Sequence, residues 1–125
     1  MTQLFRSPTC YYAVRTTKNR NIMSEKFKDM INSQKPTLVD FFATWCGPCK
    51  MQSPILEELK QKVGDAANII KVDVDQNPDL ANEYMVRSVP TIIIFKEGMP
   101  QWRASGLQSL DVLLDKINIQ EQPGK

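Results

Sequence analysis

The chain has 125 residues and a mass of 14.3 kDa, with 42% hydrophobic and 24% charged residues, which fits one globular domain with one core. Its net charge of +2, from 16 Lys and Arg against 14 Asp and Glu, is too small to argue for nucleic acid. The absence of histidine excludes Ser-His-Asp and Cys-His catalysis and His-ligated zinc or haem, and three cysteines (Cys10, Cys46, Cys49) exclude both a fully paired disulfide scaffold within one chain and a four-thiolate zinc site.

The charge is unevenly placed. Residues 1–24 carry Arg6, Arg15, Lys18 and Arg20 and no acid, giving +4, while the rest stands at −2. The longest apolar run of this segment, Cys10-Tyr11-Tyr12-Ala13-Val14, is too short for a secretory core or a membrane span. No other stretch nears spanning length, so neither a membrane nor a nucleic-acid partner is expected. Residues 1–22 have three readings: an upstream extension of the reading frame with Met23 as the true start, an organelle transit peptide, or a disordered basic tail. The first is preferred because Met23-Ser24-Glu25 opens the first helical pattern directly. The expected organisation is a basic extension over 1–22, a domain over 23–120 and a frayed tail over 121–125. Cys10 is expected to be a free thiol in that extension.

Ser24 is placed to N-cap a short helix over about 25–33, with Phe27, Met30 and Ile31 on one face. Gln34-Lys35-Pro36 ends it. Thr37-Leu38-Val39-Asp40-Phe41-Phe42-Ala43 reads as a central strand buried on both faces. A second helix runs from about Cys46 to Val63, with Ile55, Leu56, Leu59 and Val63 inward, Gly64 as its stop and Pro54 as an expected kink. Residues 68–74 form the next strand. Asn77 caps a third helix that opens on Pro78 and runs to about Tyr84. Residues 91–96 form a strand, residues 97–100 a turn and residues 101–104 a further strand, hence a hairpin. Ser109 caps a final helix carrying Leu110, Leu113, Leu114 and Ile117. The order β-α-β-α-β-β-α gives two parallel crossovers and a hairpin, an α/β sheet with helices on both faces.

The chemistry lies at one strand-to-helix junction, Trp45-Cys46-Gly47-Pro48-Cys49-Lys50. At a helix start, Cys46 faces free N–H groups and the positive dipole end, which favours its thiolate. Cys49 follows one turn later on the same face, so the pair can close a disulfide. Cys46 is then the attacking nucleophile and Cys49 the resolving thiol. The competing reading, half of a metal site, lacks further ligands. Asp40 interrupts the most apolar strand. Buried, its pKa rises and it can take up and return the resolving thiol's proton. The alternative is an edge-facing carboxylate. Lys71, central in the next strand, is either its charge partner or a solvent-pointing lysine. Trp45 is either core or contact surface, and adjacency to Cys46 favours the surface.

These residues, with Pro54-Ile55-Leu56, Lys71-Val72-Asp73-Val74-Asp75, Asn77-Pro78, Val89-Pro90-Thr91, Phe95-Lys96-Glu97-Gly98 and Gly106, together resemble the thioredoxin family from about Phe27 to Ile119. The resemblance implies a thioredoxin fold, with a central mixed sheet of four to five strands flanked by helices on both faces. It implies a redox-active Cys46–Cys49 pair, Asp40 in proton transfer beside Lys71, and a cis Pro90 facing the disulfide. Trp45, Gly47, Pro48, Val89, Pro90 and Gly106 would form the surface that docks substrate chains. No cofactor would be bound. Electrons would come from NADPH through thioredoxin reductase, and disulfide-containing proteins would be the substrates. The implied activity is general protein-disulfide reduction that maintains cell redox homeostasis. Gly47-Pro48 between the cysteines favours a reductant over an oxidant. The alternatives are a reductase dedicated to one partner enzyme and a non-catalytic binding subunit using the same surface. A monomer in the cytoplasm is expected, or in the mitochondrion if residues 1–22 are a transit peptide. Three positions depart from the family's pattern. The usual first strand is in doubt, since only Asn21-Ile22-Met23 or the tail could supply it, Phe42 replaces a common Trp, and Ser88 replaces a small Gly or Ala.

Overall fold

A computed structural model describes the backbone of residues 11–14 and 20–121 and the side chains of residues 24–117. In chain order the elements are β1 (Tyr11–Val14), α1 (Arg20–Ile31), β2 (Thr37–Phe42), α2 (Gly47–Val63), β3 (Asn68–Asp73), α3 (Pro78–Glu83), β4 (Thr91–Lys96), β5 (Met99–Ser105) and α4 (Leu110–Glu121). The five strands lie in the order β1-β3-β2-β4-β5. β1, β3 and β2 run parallel, β4 is antiparallel to β2, and β5 returns antiparallel to β4.

Strand alternation sorts the apolar side chains into two cores. Val39 and Phe41 of β2, Ile70 and Val72 of β3, and Ile93 and Phe95 of β4 pack with Phe27 and Ile31 of α1 and Leu80 of α3. Leu38, Ile69, Ile92 and Ile94 point the other way, onto Leu56 and Leu59 of α2 and Leu113 and Ile117 of α4. Helices therefore cover both faces, as expected. The first core is built on rings: Phe27 meets Phe41, Tyr84 and Phe95 at centroid distances of 5.4–6.4 Å in tilted and edge-on arrangements.

Several boundaries differ from the sequence expectation, each for a local reason. The doubtful first strand is supplied by Tyr11–Val14, which pairs in parallel with residues 69–72 of β3. The boundary expected at Met23 falls inside α1, which starts at Arg20, so Ser24 is not its cap. Instead the Ser24 hydroxyl donates to Glu83 Oε1 across to α3. Residues 1–10, with Cys10, lie outside the described residues. The Asn77 side chain makes no capping bond and donates to the Asp73 carbonyl at 3.0 Å. The hairpin turn is only Glu97-Gly98, with φ of 53° and 82°, so both central residues adopt the left-handed conformation of a tight two-residue loop. Met99 and Pro100 therefore belong to β5, where Pro100 sits on an edge strand beside a register shift at Ile94/Phe95. The final helix, expected to end near residue 120, reaches Glu121. Its start follows the reading, since Val112 N–H donates to Ser109 Oγ. α2 continues through Pro54 as one helix and stops at Gly64, whose φ of 57° suits glycine and whose N–H bonds the Lys60 carbonyl.

One stabilising device has no sequence signature. α3 ends with Val86 N–H on the Ala81 carbonyl and with Met85 at φ 56°, a conformation costly for any residue but glycine. Arg103 of β5 donates to both the Tyr84 and Met85 carbonyls, setting a cation at the helix C-terminus. The ring cluster generates the first expected outcome. Phe27→Ala empties the centre of the first core, so chemical denaturation should show a loss of about 3–5 kcal/mol. A loss below about 1 kcal/mol would mean that the surrounding rings collapse onto the gap.

Candidate active site

Cys46 is the N-cap of α2, with extended backbone, and Gly47 and Pro48 form the first turn. Pro48 lacks an N–H where the helix has no partner for one, so the turn loses nothing. Cys46 and Cys49 are joined by a disulfide with Cα atoms 5.3 Å apart. The Cys49 N–H donates to Cys46 Sγ at 3.1 Å. A sulfur in that position receives a backbone donor and the positive end of the helix, and both favour its anion once the bond is reduced. Both cysteines are buried against Ala43, with Phe42, Val74 and Val89 packed around them.

The Val89–Pro90 peptide is cis, as the resemblance implied. Its loop is held on two sides. Thr91 Oγ1 donates to the Ser88 carbonyl at 2.7 Å, and Gly106 N–H donates to the Pro90 carbonyl at 2.8 Å. Trp45 is 70% exposed, which excludes the core reading. Its indole N–H donates to Asp75 Oδ2 at 2.8 Å, fixing the ring beside Cys46. Gly47 and Pro48 are exposed, Val89 and Gly106 are half-buried, and Pro90 is buried.

Asp40 lies two residues after Leu38 on the same side of β2, the side covered by α2. It is fully buried, and neither carboxylate oxygen accepts a hydrogen bond among the described residues. Burial pushes its pKa from 3.8 up to about 7, with the Lys71 charge pulling it down. The edge-facing alternative is thus excluded. Asp40 and Lys71 are register partners in the β2–β3 pair. Lys71 Nζ donates to Ser53 Oγ at 2.6 Å and stands 4.9 Å from the centroid of the Phe42 ring. The residue that departs from the family's usual Trp therefore serves as a face for the lysine cation. Ser53 escaped the sequence reading. Its signal is the spacing, four residues after Cys49 on the same helical face.

Among the described residues, no group of three or more His, Cys, Asp or Glu is placed to hold a metal ion, and no helix is long and apolar enough to cross a membrane. A dithiol that caps a helix, with Val89 of the neighbouring loop packed against it and a buried acid in the preceding strand, has the chemistry of a thiol–disulfide oxidoreductase.

Comparison with known proteins agrees. The sequence model of the Thioredoxin family matches residues 18–119. Thioredoxin of Rickettsia conorii is 43% identical over 99 residues, covering 78% of this chain and 94% of that protein. A bifunctional thioredoxin reductase/thioredoxin of Mycobacterium leprae is 48% identical over 92 residues, covering 74% of this chain and 20% of that longer protein. Among solved structures, a mutant thioredoxin of Halobacterium salinarum superposes with a TM-score of 0.80 at 34% identity, covering 95% of this chain and 97% of that one. The chain belongs to the thioredoxin family. It is a protein-disulfide reductase, and disulfide-containing proteins are its class of substrate. The reading as a non-catalytic subunit is not favoured.

The buried acid sets a pH dependence of stability. Asp40's folded pKa lies above its unfolded value, so the folded state binds the proton more tightly. That contribution is fully present below the ordinary carboxylate range and is lost as pH rises through about 7. The loss reaches about 4 kcal/mol at neutral pH and above. Asp40→Asn should therefore be more stable than the parent in urea at pH near 8, with the difference shrinking towards pH 4. A variant less stable at the higher pH would mean that the carboxylate is held by favourable partners.

Proposed function

We propose that Cys46 is the nucleophile of disulfide reduction, Cys49 the resolving thiol and Asp40 the proton carrier between them and solvent. The observation that carries this reading is the Cys49 N–H on Cys46 Sγ at the N-terminus of α2. In the reduced protein the Cys46 thiolate attacks one sulfur of a target disulfide. The target S–S bond breaks, its far sulfur leaves as a thiolate and takes a proton, and Cys46 is left in a mixed disulfide. The Asp40 carboxylate, with a pKa of about 7, accepts the Cys49 proton near neutral pH. The Cys49 thiolate then attacks Cys46 Sγ and releases the second target thiol. Two electrons pass to the target, and the Cys46–Cys49 disulfide is the oxidised end of the cycle. Lys71 steadies the Asp40 anion while it exists.

Trp45, Gly47, Pro48, Val89, Pro90 and Gly106 would receive the target chain. Trp45, Gly47 and Pro48 adjoin the cysteines in the chain, Val89 packs against them, and Gly106 bonds the Pro90 carbonyl, which supports this. NADPH, acting through a separate thioredoxin reductase, would regenerate the dithiol. The mycobacterial relative, a bifunctional thioredoxin reductase/thioredoxin, supports that pairing. A reducing compartment such as the cytoplasm suits this direction of transfer.

Insulin reduction driven by dithiothreitol tests the roles. Cys46→Ser should abolish turnover. Cys49→Ser should accumulate a mixed disulfide with insulin, visible as an added mass that a thiol removes. Turnover retained in Cys46→Ser would transfer the nucleophile to another group. Asp40→Asn should slow exchange by roughly 10²-fold near neutral pH, the low end of general acid–base contributions. An unchanged rate across about pH 6–8 would remove Asp40 from the mechanism.

A further inference from the structure

Gln52 is fully buried, an unusual place for a glutamine. Both ends of its amide bond one residue's backbone. The Gln108 N–H donates to Gln52 Oε1 at 2.8 Å, and Gln52 Nε2 donates to the Gln108 carbonyl at 3.0 Å. This is the two-way exchange that opposed residues make in an antiparallel pair. Here a side chain of α2 supplies it to a loop that has no strand partner. The Gln108 side chain then folds back and donates to the Ser105 and Gly106 carbonyls at 3.3 and 3.2 Å. Gly106 N–H in turn bonds the Pro90 carbonyl. A continuous set of hydrogen bonds thus runs from the dithiol helix, through the 105–108 loop, to the cis-proline loop.

We infer that Gln52 is a positioning residue for protein substrates, fixing the Gly106–Leu107 wall at its working distance from Cys46. The inference rests on the docking surface proposed above. Two features favour function over packing alone. Gln52 lies one helical turn from Cys49, so the dithiol and the wall share one rigid base. The space above Gly106 is open, with nothing within 4 Å of where a Cβ would stand, and Leu107 beside it is 43% exposed. Such a wall matters to a chain lying across the site and not to a small disulfide that needs only the sulfur.

The test compares insulin with dithiobis-nitrobenzoate, a small aromatic disulfide, in Gln52→Met. Methionine keeps the length and volume and removes both hydrogen bonds. KM for insulin should rise about three- to tenfold, the scale of one or two lost hydrogen bonds, with kcat unchanged. The second-order rate with the small disulfide should stay at the parent value. Amide exchange at Gly106 and Gln108 should accelerate. Gln108→Ala, which alters only the loop side of the clamp, should raise KM for insulin in the same direction and keeps the test open if Gln52→Met folds poorly. An unchanged KM in both variants, or equal loss of rate with both substrates, overturns the proposal. Trp45→Ala separates the two readings. If it raises KM for insulin while the clamp variants do not, the docking surface stands and the role of Gln52 falls. If none of the three does, both fall.

Discussion

The double-sided burial of β2 is the constraint on which the rest of the structure depends. Every residue from Thr37 to Phe41 is buried, and strand alternation sends neighbours to opposite cores. Val39 and Phe41 commit α1 and α3 to one face, and Leu38 commits α2 and α4 to the other. A one-residue slip would exchange those sets and move Asp40 into the ring cluster around Phe27. The same strand then hands the chain, through a short turn in which Cys46 N–H bonds the Ala43 carbonyl, to the helix that carries both cysteines. The position of the dithiol is thus inherited from the register of the sheet.

Asp40 is the departure from that apolar rule. With no hydrogen bond to either oxygen among the described residues, the carboxyl destabilises the fold whenever it is charged. Its cost fits the proton-transfer role proposed above, which needs a carboxyl that titrates near neutral pH. Lys71 moderates the cost through its charge, and its ammonium also meets the Ser53 hydroxyl and the Phe42 ring. A direct ion pair would depress the carboxyl and end its usefulness as a base near pH 7. Burial and the lysine charge act in opposite directions on the acid, and burial is the larger.

What the sequence made legible follows the strength of the local signal. The apolar runs of β2, β3 and β4 and the periodic faces of α2 and α4 fix their own type, so the sandwich was readable. The WCGPC spacing likewise places both sulfurs on one helical turn without any tertiary knowledge. The misplaced parts depend on partners distant in sequence. Tyr11–Val14 is a strand because β3 offers it a parallel edge, and four residues in a basic segment cannot announce that. Ser24 has the chemistry of a cap, yet α1 begins four residues earlier and its hydroxyl turns to Glu83. Met99-Pro100 has the composition of a turn, but Glu97-Gly98 already completes one with positive φ at both residues. Ser53, Gln52 and Arg103 act through contacts 18 to 56 residues away in the chain, where no periodicity can point.

Those long-range contacts converge on one turn of α2. Below Cys49, the next residues on its inward side are Gln52 and Ser53, and they reach in different directions. Ser53 reaches β3 and the lysine that moderates the buried acid. Gln52 reaches the loop ahead of α4 and, through it, the cis-proline loop. The lysine beside the buried acid and the 105–108 loop are therefore both tied to the helical segment that carries the sulfurs. Pro54 follows at once, and by lacking an N–H it leaves the helix one internal bond fewer just after this turn. The side-chain bonds of Gln52 and Ser53 supply outside attachment beside that missing bond, so this turn is tied to β3 and to the 105–108 loop as well as to its own backbone.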